Sequence, residues 1–473
     1  MIDLHAVDAI ELLDRLGAGE LSSRELTGAI LDRIDAVNPA VNAIISARPR
    51  QDVMAEAGAA DAARVAGEEI GPLHGLPMAV KDLADVAGLP TRRGSRLTSA
   101  RPATVDSLFV ARLRAAGAIF VGKTNTPEFG TGSHTFNEVF GITRNPYDLS
   151  RSAGGSSGGA AAAVASGMLP LADGSDLGGS LRNPAAFCNL VGFRPSIGRV
   201  PRLTGRISFH PRLSVEGPIG RSATDVACLL SVMAGPDRRD PRSLAQPGAM
   251  FADLTPADLS ALRIGWGGDL GVFRVEPDVM QVVESAVTAL GGAGASVEPA
   301  HPDLGEAMFV FRTLRALIYR DLGDQVPVDR HGDLKETVEW NIAAGHALTA
   351  GDVLAAEHAR TRIHENVVVF FEGHDVLALP TTQVVPFPVE VEYPTEIGGH
   401  PMTDYLEWMS SCCVISTTGC PAVSVPAGFT KTGLPIGLQL VAAPGEDLRL
   451  LQIAAAVEAL TDHGRIRPPE PVA

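Results

Sequence analysis

Two glycine- and serine-rich runs within residues 151–199 constrain the fold more than any other feature. Residues 154–159 read GGSSGG, and residues 176–182 read DLGGSLR, with Ser180 lying 24 positions after Ser156. Glycine allows the backbone to adopt positive φ angles or to approach another group closely. The four alanines at 160–163 favour a helix directly after the first run. The first run therefore predicts a tight loop that ends at a helix N-terminus.

A loop of this kind presents free N–H donors, which suit an anion or a developing oxyanion. A nucleotide-phosphate loop is one alternative, but the Lys-Ser/Thr ending of such loops is absent. A flexible glycine linker is another, although linkers rarely run straight into an apolar helix. The pattern favours a binding or catalytic loop.

Composition excludes several classes of function. The chain has 473 residues, of which 45% are hydrophobic and 20% charged, as in globular proteins with a large core. The 39 basic and 55 acidic residues give a net charge of −16 without a basic cluster. This argues against nucleic acid or an anionic membrane as a partner.

The N-terminal residues and the cysteines predict a cytoplasmic protein. The first residues contain neither a basic region nor a long apolar run, so secretion is not expected. No window of 18 apolar residues is present, so no membrane span is expected. The five scattered cysteines are an odd number and indicate buried thiols in a reducing compartment. Neither they nor the twelve histidines show metal-ligand spacing, so we expect no metal and no cofactor.

The order of predicted elements indicates an α/β fold. Residues 1–65 show helical periodicity, and Ser22 with Glu25 forms a capping-box pattern at the start of the second helix. Beyond them, a helix at 107–116 is followed by a strand at 118–122, which is typical of units around a mostly parallel sheet. We predict a helical N-terminal cover, residues 1–65, on a main domain, residues 66–473.

The glycine-serine runs resemble the motif of the amidase signature family. The likeness includes residues 154–159, 174–188 and 192–195, with Ser175 where the family often has threonine. It extends over roughly residues 5–460, so the chain is interpreted as a single compact domain. The resemblance implies one large mixed, twisted β-sheet that is covered on both sides by many helices.

The same resemblance implies a catalytic triad without histidine. Ser180 takes the place of the nucleophile, Ser156 that of the proton relay, and Lys81 that of the base. From the residues alone, a lysine at the end of the buried strand 78–80 could equally reach the surface. At an ordinary pKa near 10.4 it would be charged and useless as a base, but burial could lower that pKa towards neutrality.

The resemblance also assigns roles around the nucleophile. Asp176 and Arg182 would brace its loop, and the peptide bond entering Ser156 would be cis. The oxyanion hole would consist of the backbone N–H groups of Leu177, Gly178, Gly179 and Ser180. Successive donors that point to one spot bind an anion.

The substrate pocket is the least constrained part. By resemblance, Thr131, Gly132 and Ser133 would line the acyl side. The segments 302–345 and 384–410 add apolar candidates, and an apolar wall with few polar groups is usual for small-molecule sites. These candidates are Phe309, Phe311, Trp340, Met402, Tyr405, Trp408 and Met409, of which Phe309, Trp340, Tyr405 and Trp408 are singled out as substrate-binding. We expect a neutral hydrophobic or aryl amide, with esters and carbamates as relatives, to be cleaved by a monomer or homodimer.

Three alternatives remain at this point. Residues 155–159 also fit the nucleophile elbow of α/β-hydrolase esterases, with Ser157 as the nucleophile and His374 or His463 as the base. The chain could be the glutamine-hydrolysing subunit of an amidotransferase complex, whose core motifs are the same. It could also be a binding protein with an inactive site.

Overall fold

A computed structural model describes residues 7–203, 208–209 and 213–470. Within these ranges the chain forms thirteen α-helices. They are α1 (Ala9–Ala18), α2 (Ser23–Val41), α3 (Arg50–Val65), α4 (Leu108–Ala115), α5 (Gly158–Ala165), α6 (Arg182–Phe187), α7 (Ala223–Met233), α8 (Pro277–Gly292), α9 (Ala307–Gly323), α10 (Glu336–Ala347), α11 (Ala350–Gly373), α12 (Ser410–Thr418) and α13 (Asp447–Thr461).

The strands are mostly short. They are β1 (Ile44–Ile45), β2 (Pro77–Lys81), β3 (Ile119–Thr124), β4 (Phe136–Asn137), β5 (Gly141–Ile142), β6 (Arg144–Asn145), β7 (Asp148–Ser152), β8 (Ala172–Asp176), β9 (Val191–Arg194), β10 (Val215–Gly220), β11 (Arg263–Trp266), β12 (Ser296–Pro299), β13 (Val376–Pro380), β14 (Glu396–Ile397), β15 (His400–Pro401), β16 (Ala422–Phe429) and β17 (Pro435–Val441).

Eight strands form one mixed sheet in the order β12-β11-β13-β17-β16-β9-β10-β8. Strand β11 is parallel to both of its neighbours, whereas the remaining pairs are antiparallel. The prediction of an α/β fold built on a large mixed sheet is confirmed, whereas the expectation of a mostly parallel sheet is wrong, because only the two pairs that involve β11 are parallel.

Successive side chains of β13 enter two different apolar cores. Val376 and Ala378 belong to the core that includes α7, α8 and α13. Leu377 and Leu379 belong to the core that includes α9, α11 and α12. Because successive side chains of a strand point to opposite faces, the sheet separates two helical layers. This accounts for the uninterrupted apolar sequence of the strand.

The strand that carries Lys81 belongs to a separate sheet of order β1-β3-β2. Strand β2 runs beside β8, the edge strand of the large sheet, without ladder hydrogen bonds. Instead, the Lys81 backbone N–H donates to the Asp173 carboxylate on β8 at 3.2 Å. A carboxylate thus joins the two sheets at the place where the lysine side chain begins.

The N-terminal helices pack on the first core, to which they contribute Leu12, Leu26 and Ile30. The capping box predicted for α2 is confirmed: Ser22 Oγ accepts the Glu25 N–H at 3.1 Å, and a Glu25 carboxylate oxygen accepts the Ser22 N–H at 2.9 Å. The boundary at residue 65 stays a prediction. Of the helices in the described ranges, none combines the length and the apolar character that crossing a bilayer requires.

Candidate active site

Lys81 ends β2, and its buried side-chain amine is surrounded by hydroxyl groups. Its Nζ lies 2.8 Å from Ser156 Oγ, 2.8 Å from Ser157 Oγ and 3.0 Å from Ser175 Oγ. Burial lowers the pKa of Lys81 to about 7, although the negative charges of Glu216 and Asp173 act in the opposite direction. A lysine with such a pKa is partly neutral near pH 7 and can accept a proton.

Ser156 reaches Lys81 because the glycine loop turns tightly before α5. Gly154 has a φ of +74°, and the Gly155–Ser156 peptide bond is cis. The carbonyl of Gly155 accepts a hydrogen bond of 2.6 Å from Ser133 Oγ, which fixes the loop on the preceding segment. A side chain at Gly155 would meet the backbone of residues 133 and 134 at 3.0 Å, so the loop has no room for one.

Ser180 lies in the turn that follows β8 and lines the same cavity as Ser156. Its backbone carbonyl accepts the Ser157 N–H at 3.2 Å, which ties the two glycine-serine runs together. The structure therefore brings together all three side chains of the expected triad: Ser180 and Ser156 share a cavity, and Ser156 contacts Lys81.

The carboxylate of Asp176 organises the turn that contains Ser180. It accepts the N–H groups of Gly179 at 2.9 Å and Leu181 at 3.2 Å. Arg182 and Arg194 donate to the same carboxylate at 2.9 and 3.0 Å, and all three side chains are fully buried. Burial alone would raise the pKa of Asp176, but the two guanidinium groups hold it well below its ordinary value.

The N–H groups of the expected oxyanion hole differ in their hydrogen bonding. The N–H of Gly179 already donates to Asp176, so its part in an oxyanion hole stays a prediction. Within the described ranges, no hydrogen bond occupies the N–H groups of Leu177, Gly178 and Ser180. These three N–H groups are therefore available as donors.

The cavity in front of the serines has a volume of about 570 Å³. Its apolar wall includes Leu83, Phe109, Phe129, Leu177, Phe311 and Met409. Charged side chains also line it, namely Asp85, Arg93, Asp106, Arg202, Glu216, Arg315 and Asp321. Its described lining contains no histidine.

Of the expected pocket residues, Gly132, Phe311 and Met409 line this cavity. Thr131 and Ser133 are buried beside it, where Thr131 Oγ1 lies 2.6 Å from the Tyr319 hydroxyl. Tyr405 and Trp408 are buried in the second core, behind the cavity wall. They stabilise the wall without facing the cavity.

Phe309 and Trp340 were expected in the pocket but lie on the surface, 44% and 43% exposed. Helix α9 turns Phe311, Arg315 and Tyr319 towards the cavity instead. These three residues recur every four positions, which puts them on one helical face. That i, i+4, i+8 spacing from Phe311 was the available signal for Arg315 and Tyr319, which were not expected in the pocket.

The environment of Ser157 does not fit a nucleophile elbow. Its side chain is buried, contacts Lys81 and does not line the cavity. His374 bonds to the Phe370 carbonyl and the Glu298 carboxylate, whereas the ring of His463 packs edge-on against Phe429. Neither of these two histidines contacts Ser157, so neither can serve as the base of an elbow.

Comparison with known proteins identifies the family. The family model described as Amidase matches residues 25–451. The chain belongs to the amidase signature family. This amidase is 37% identical over 466 residues to an acylamidase of Rhodococcus erythropolis, covering 97% of this chain and 96% of the relative. It is therefore a hydrolase that acts on amides.

Relatives of this amidase include proteins with other functions. A glutamyl-tRNA(Gln) amidotransferase subunit from Moorella thermoacetica is 38% identical over 493 residues, which cover 99% of both chains. The solved structure of a bacterial aryl acylamidase is 30% identical, with a TM-score of 0.88 over 99% of this chain and 100% of that one. A 6-aminohexanoate cyclic dimer hydrolase is 29% identical, with a TM-score of 0.86 over the whole of both chains.

Proposed function

We propose that this amidase cleaves the C–N bond of small amides through an acyl-enzyme on Ser180. The observation that carries the proposal is the 2.8 Å contact of buried Lys81 with Ser156, in the wall of the cavity that contains Ser180. The Ser180 oxygen attacks the carbonyl carbon of the substrate, and the Ser180 hydroxyl gives its proton to Ser156. Ser156 in turn gives a proton to neutral Lys81. The relay needs no histidine.

The negative charge that develops on the carbonyl oxygen is held by the N–H groups of Leu177, Gly178 and Ser180. As the C–N bond breaks, the proton returns from Lys81 through Ser156 to the departing amine. Water then attacks the acyl-enzyme, with Ser156 and Lys81 again taking the proton and returning it to Ser180. This step releases the acid and free Ser180. In this mechanism Asp176 and Arg182 hold the turn and do not react.

For the substrate, we infer a compact amide with an apolar or aryl part, and esters and carbamates as further candidates. The apolar half of the cavity wall, with Phe129 and Phe311, supports an aryl group. An ester or carbamate passes through the same tetrahedral oxyanion, so the donors around Ser180 would serve it equally. Gly132 is the residue of the 131–133 segment that would touch the acyl part.

A test of the mechanism is covalent labelling of the purified protein with a fluorophosphonate, followed by peptide mapping. The proposal expects the label on Ser180 and its loss in Ser180→Ala. A label on Ser157 would support the esterase alternative. Absence of any label in folded protein would support a binding protein with an inactive site.

Glutamine hydrolysis within an amidotransferase complex is the second candidate. It is favoured by the likeness to the Moorella thermoacetica protein over 99% of both chains. We infer instead that the chain acts alone in the cytoplasm, as a monomer or homodimer; the five cysteines, all free thiols, suit a reducing compartment. The test measures amide hydrolysis by the purified chain, whose mass in solution is determined by light scattering. Hydrolysis by a monomer or homodimer supports a chain that acts alone, and its absence supports a subunit of an amidotransferase complex.

A further inference from the structure

Arg315 is a buried cation that the mechanism above does not use. It lines the active-site cavity from helix α9 and is only 5% exposed. Its Nε donates to the Asn341 side-chain oxygen at 3.1 Å, and its Nη2 donates to the hydroxyls of Tyr319 at 3.0 Å and Tyr405 at 2.7 Å. All these acceptors are uncharged.

Within the described ranges, Arg315 has no carboxylate partner, and no acceptor is bonded to its Nη1. Three other buried arginines do have a carboxylate partner: Arg182 and Arg194 share Asp176, and Arg199 pairs with Asp447 at 2.9 Å. A buried charge without a counter-ion is destabilising. An anion bound in the cavity would supply the counter-ion that Arg315 lacks.

The position of Arg315 relates this charge to the reaction centre. Phe311 lies one helical turn earlier, and a Cβ added at Gly178 would be 2.6 Å from its ring. Side chains four apart on a helix have Cβ atoms about 5–6 Å apart. Arg315, Phe311 and Gly178 all line one cavity, so a substrate whose carbonyl is held at Gly178 occupies the space that Arg315 lines. Lys335 is another cation in this region and lies near Gly132. Unlike Arg315, it is paired with a carboxylate, that of Glu392, at 2.9 Å.

We propose that Arg315 binds a carboxylate of the substrate, so that the preferred amides are singly charged anions with the carboxylate a few bonds from the scissile carbonyl. This replaces the uncharged substrate expected from the sequence and rests on the amide hydrolysis at Ser180 proposed above. The two N–H groups of Nη1 donate to the carboxylate in a charge-assisted contact. A neutral substrate would leave the guanidinium unpaired.

The experiment compares matched acids and methyl esters on the purified protein. Glutaryl-4-nitroanilide against its methyl ester puts the charge on the acyl side, and 4-acetamidobenzoate against its methyl ester puts it on the amine side. In at least one pair we expect kcat/KM for amide cleavage to favour the acid by about 10- to 100-fold, as for a hydrogen bond to a charged group. Equal or faster cleavage of both methyl esters would overturn the proposal.

Two variants on α9 assign the preference to one residue. Arg315→Gln should reduce the acid-to-ester ratio to about one, whereas Arg320→Gln, an exposed arginine paired with Asp324, should keep the wild-type ratio. A wild-type ratio in folded Arg315→Gln would refute the assignment to Arg315. If that variant does not fold, Arg315→Lys, which keeps the charge, should retain a preference for the acid.

A binding measurement separates this proposal from the proposed function. Calorimetry on Ser180→Ala should show tighter binding of the preferred acid than of its ester by the same factor. If neither pair is hydrolysed by the wild type but this preference is present, the proposed function fails and the carboxylate site stands. If the amides are hydrolysed without a preference in rate or binding, the site fails and the function stands.

Discussion

Lys81 Nζ lies as close to Ser157 Oγ as to Ser156 Oγ, at 2.8 Å from each. Only Ser156 also lines the cavity that contains Ser180. Adjacent serines in one loop therefore have different surroundings. Ser156 is placed to pass a proton, whereas Ser157 is placed to hold the lysine.

Ser157→Ala tests this division. We expect a loss of about 10- to 100-fold in kcat/KM, the size typical of mispositioning a catalytic group. Ser156→Ala, which removes the relay itself, should lose about 10³-fold or more. Steady-state kinetics on the two variants makes the comparison. A Ser157→Ala loss equal to that of Ser156→Ala would contradict the positioning role.

The triad predicts a non-additive set of variants. Ser180→Ala should abolish turnover, and Lys81→Met should lose about 10³-fold or more, because the three side chains act as one unit. Combining the two should add little to Ser180→Ala alone. Lys431→Met, at an exposed lysine, is the matched control and should retain wild-type rates. More than about 10% residual activity in Ser180→Ala would exclude it as the nucleophile.

The pH dependence follows from the lowered pKa of Lys81. The base must be neutral, so kcat/KM should rise with pH through about 7 and level off above it. Burial lowers this pKa and Glu216 raises it, so Glu216→Gln should move the rising limb to lower pH. Glu11→Gln, at a surface carboxylate, should leave the limb in place. A maximum below about pH 6 would argue against a lysine base.

A substrate panel separates the two candidate functions. The chain alone should cleave a 4-nitroanilide or an aryl primary amide, and glutamine should be inert. The reason is the apolar half of the cavity, which offers an aryl group more contact than it offers glutamine. An aryl carbamate in the same panel tests the further candidate. Release of ammonia from glutamine with inert aryl compounds would point to an amidotransferase subunit.

The buried charge network under the nucleophile predicts a large effect on stability. Asp176→Asn leaves Arg182 and Arg194 without their shared charge, so the free energy of unfolding should fall by about 3–5 kcal/mol. Glu306→Gln, in an exposed pair with Arg362, should change it by less than about 1 kcal/mol. Denaturant unfolding of both variants checks the contrast. Equal stabilities would contradict the bracing role of Asp176.

The sequence alone determined the elements that depend on local chemistry. The capping box of Ser22 and Glu25 and the tight loop before the alanine helix were predictable, because each depends on neighbouring residues. The strand that ends at Lys81 was predictable from its uninterrupted apolar run. The two glycine-serine runs were sufficient to indicate the family.

Only the tertiary structure decided which side chains face the substrate. Phe309 and Phe311 are both aromatic and two positions apart, but successive residues of a helix turn by about 100°, so one is exposed and the other lines the cavity. Composition does not reveal which face packs inward. The tertiary structure likewise decides that Arg315 lines the cavity. It also decides that the N–H of Gly179 donates to the Asp176 carboxylate.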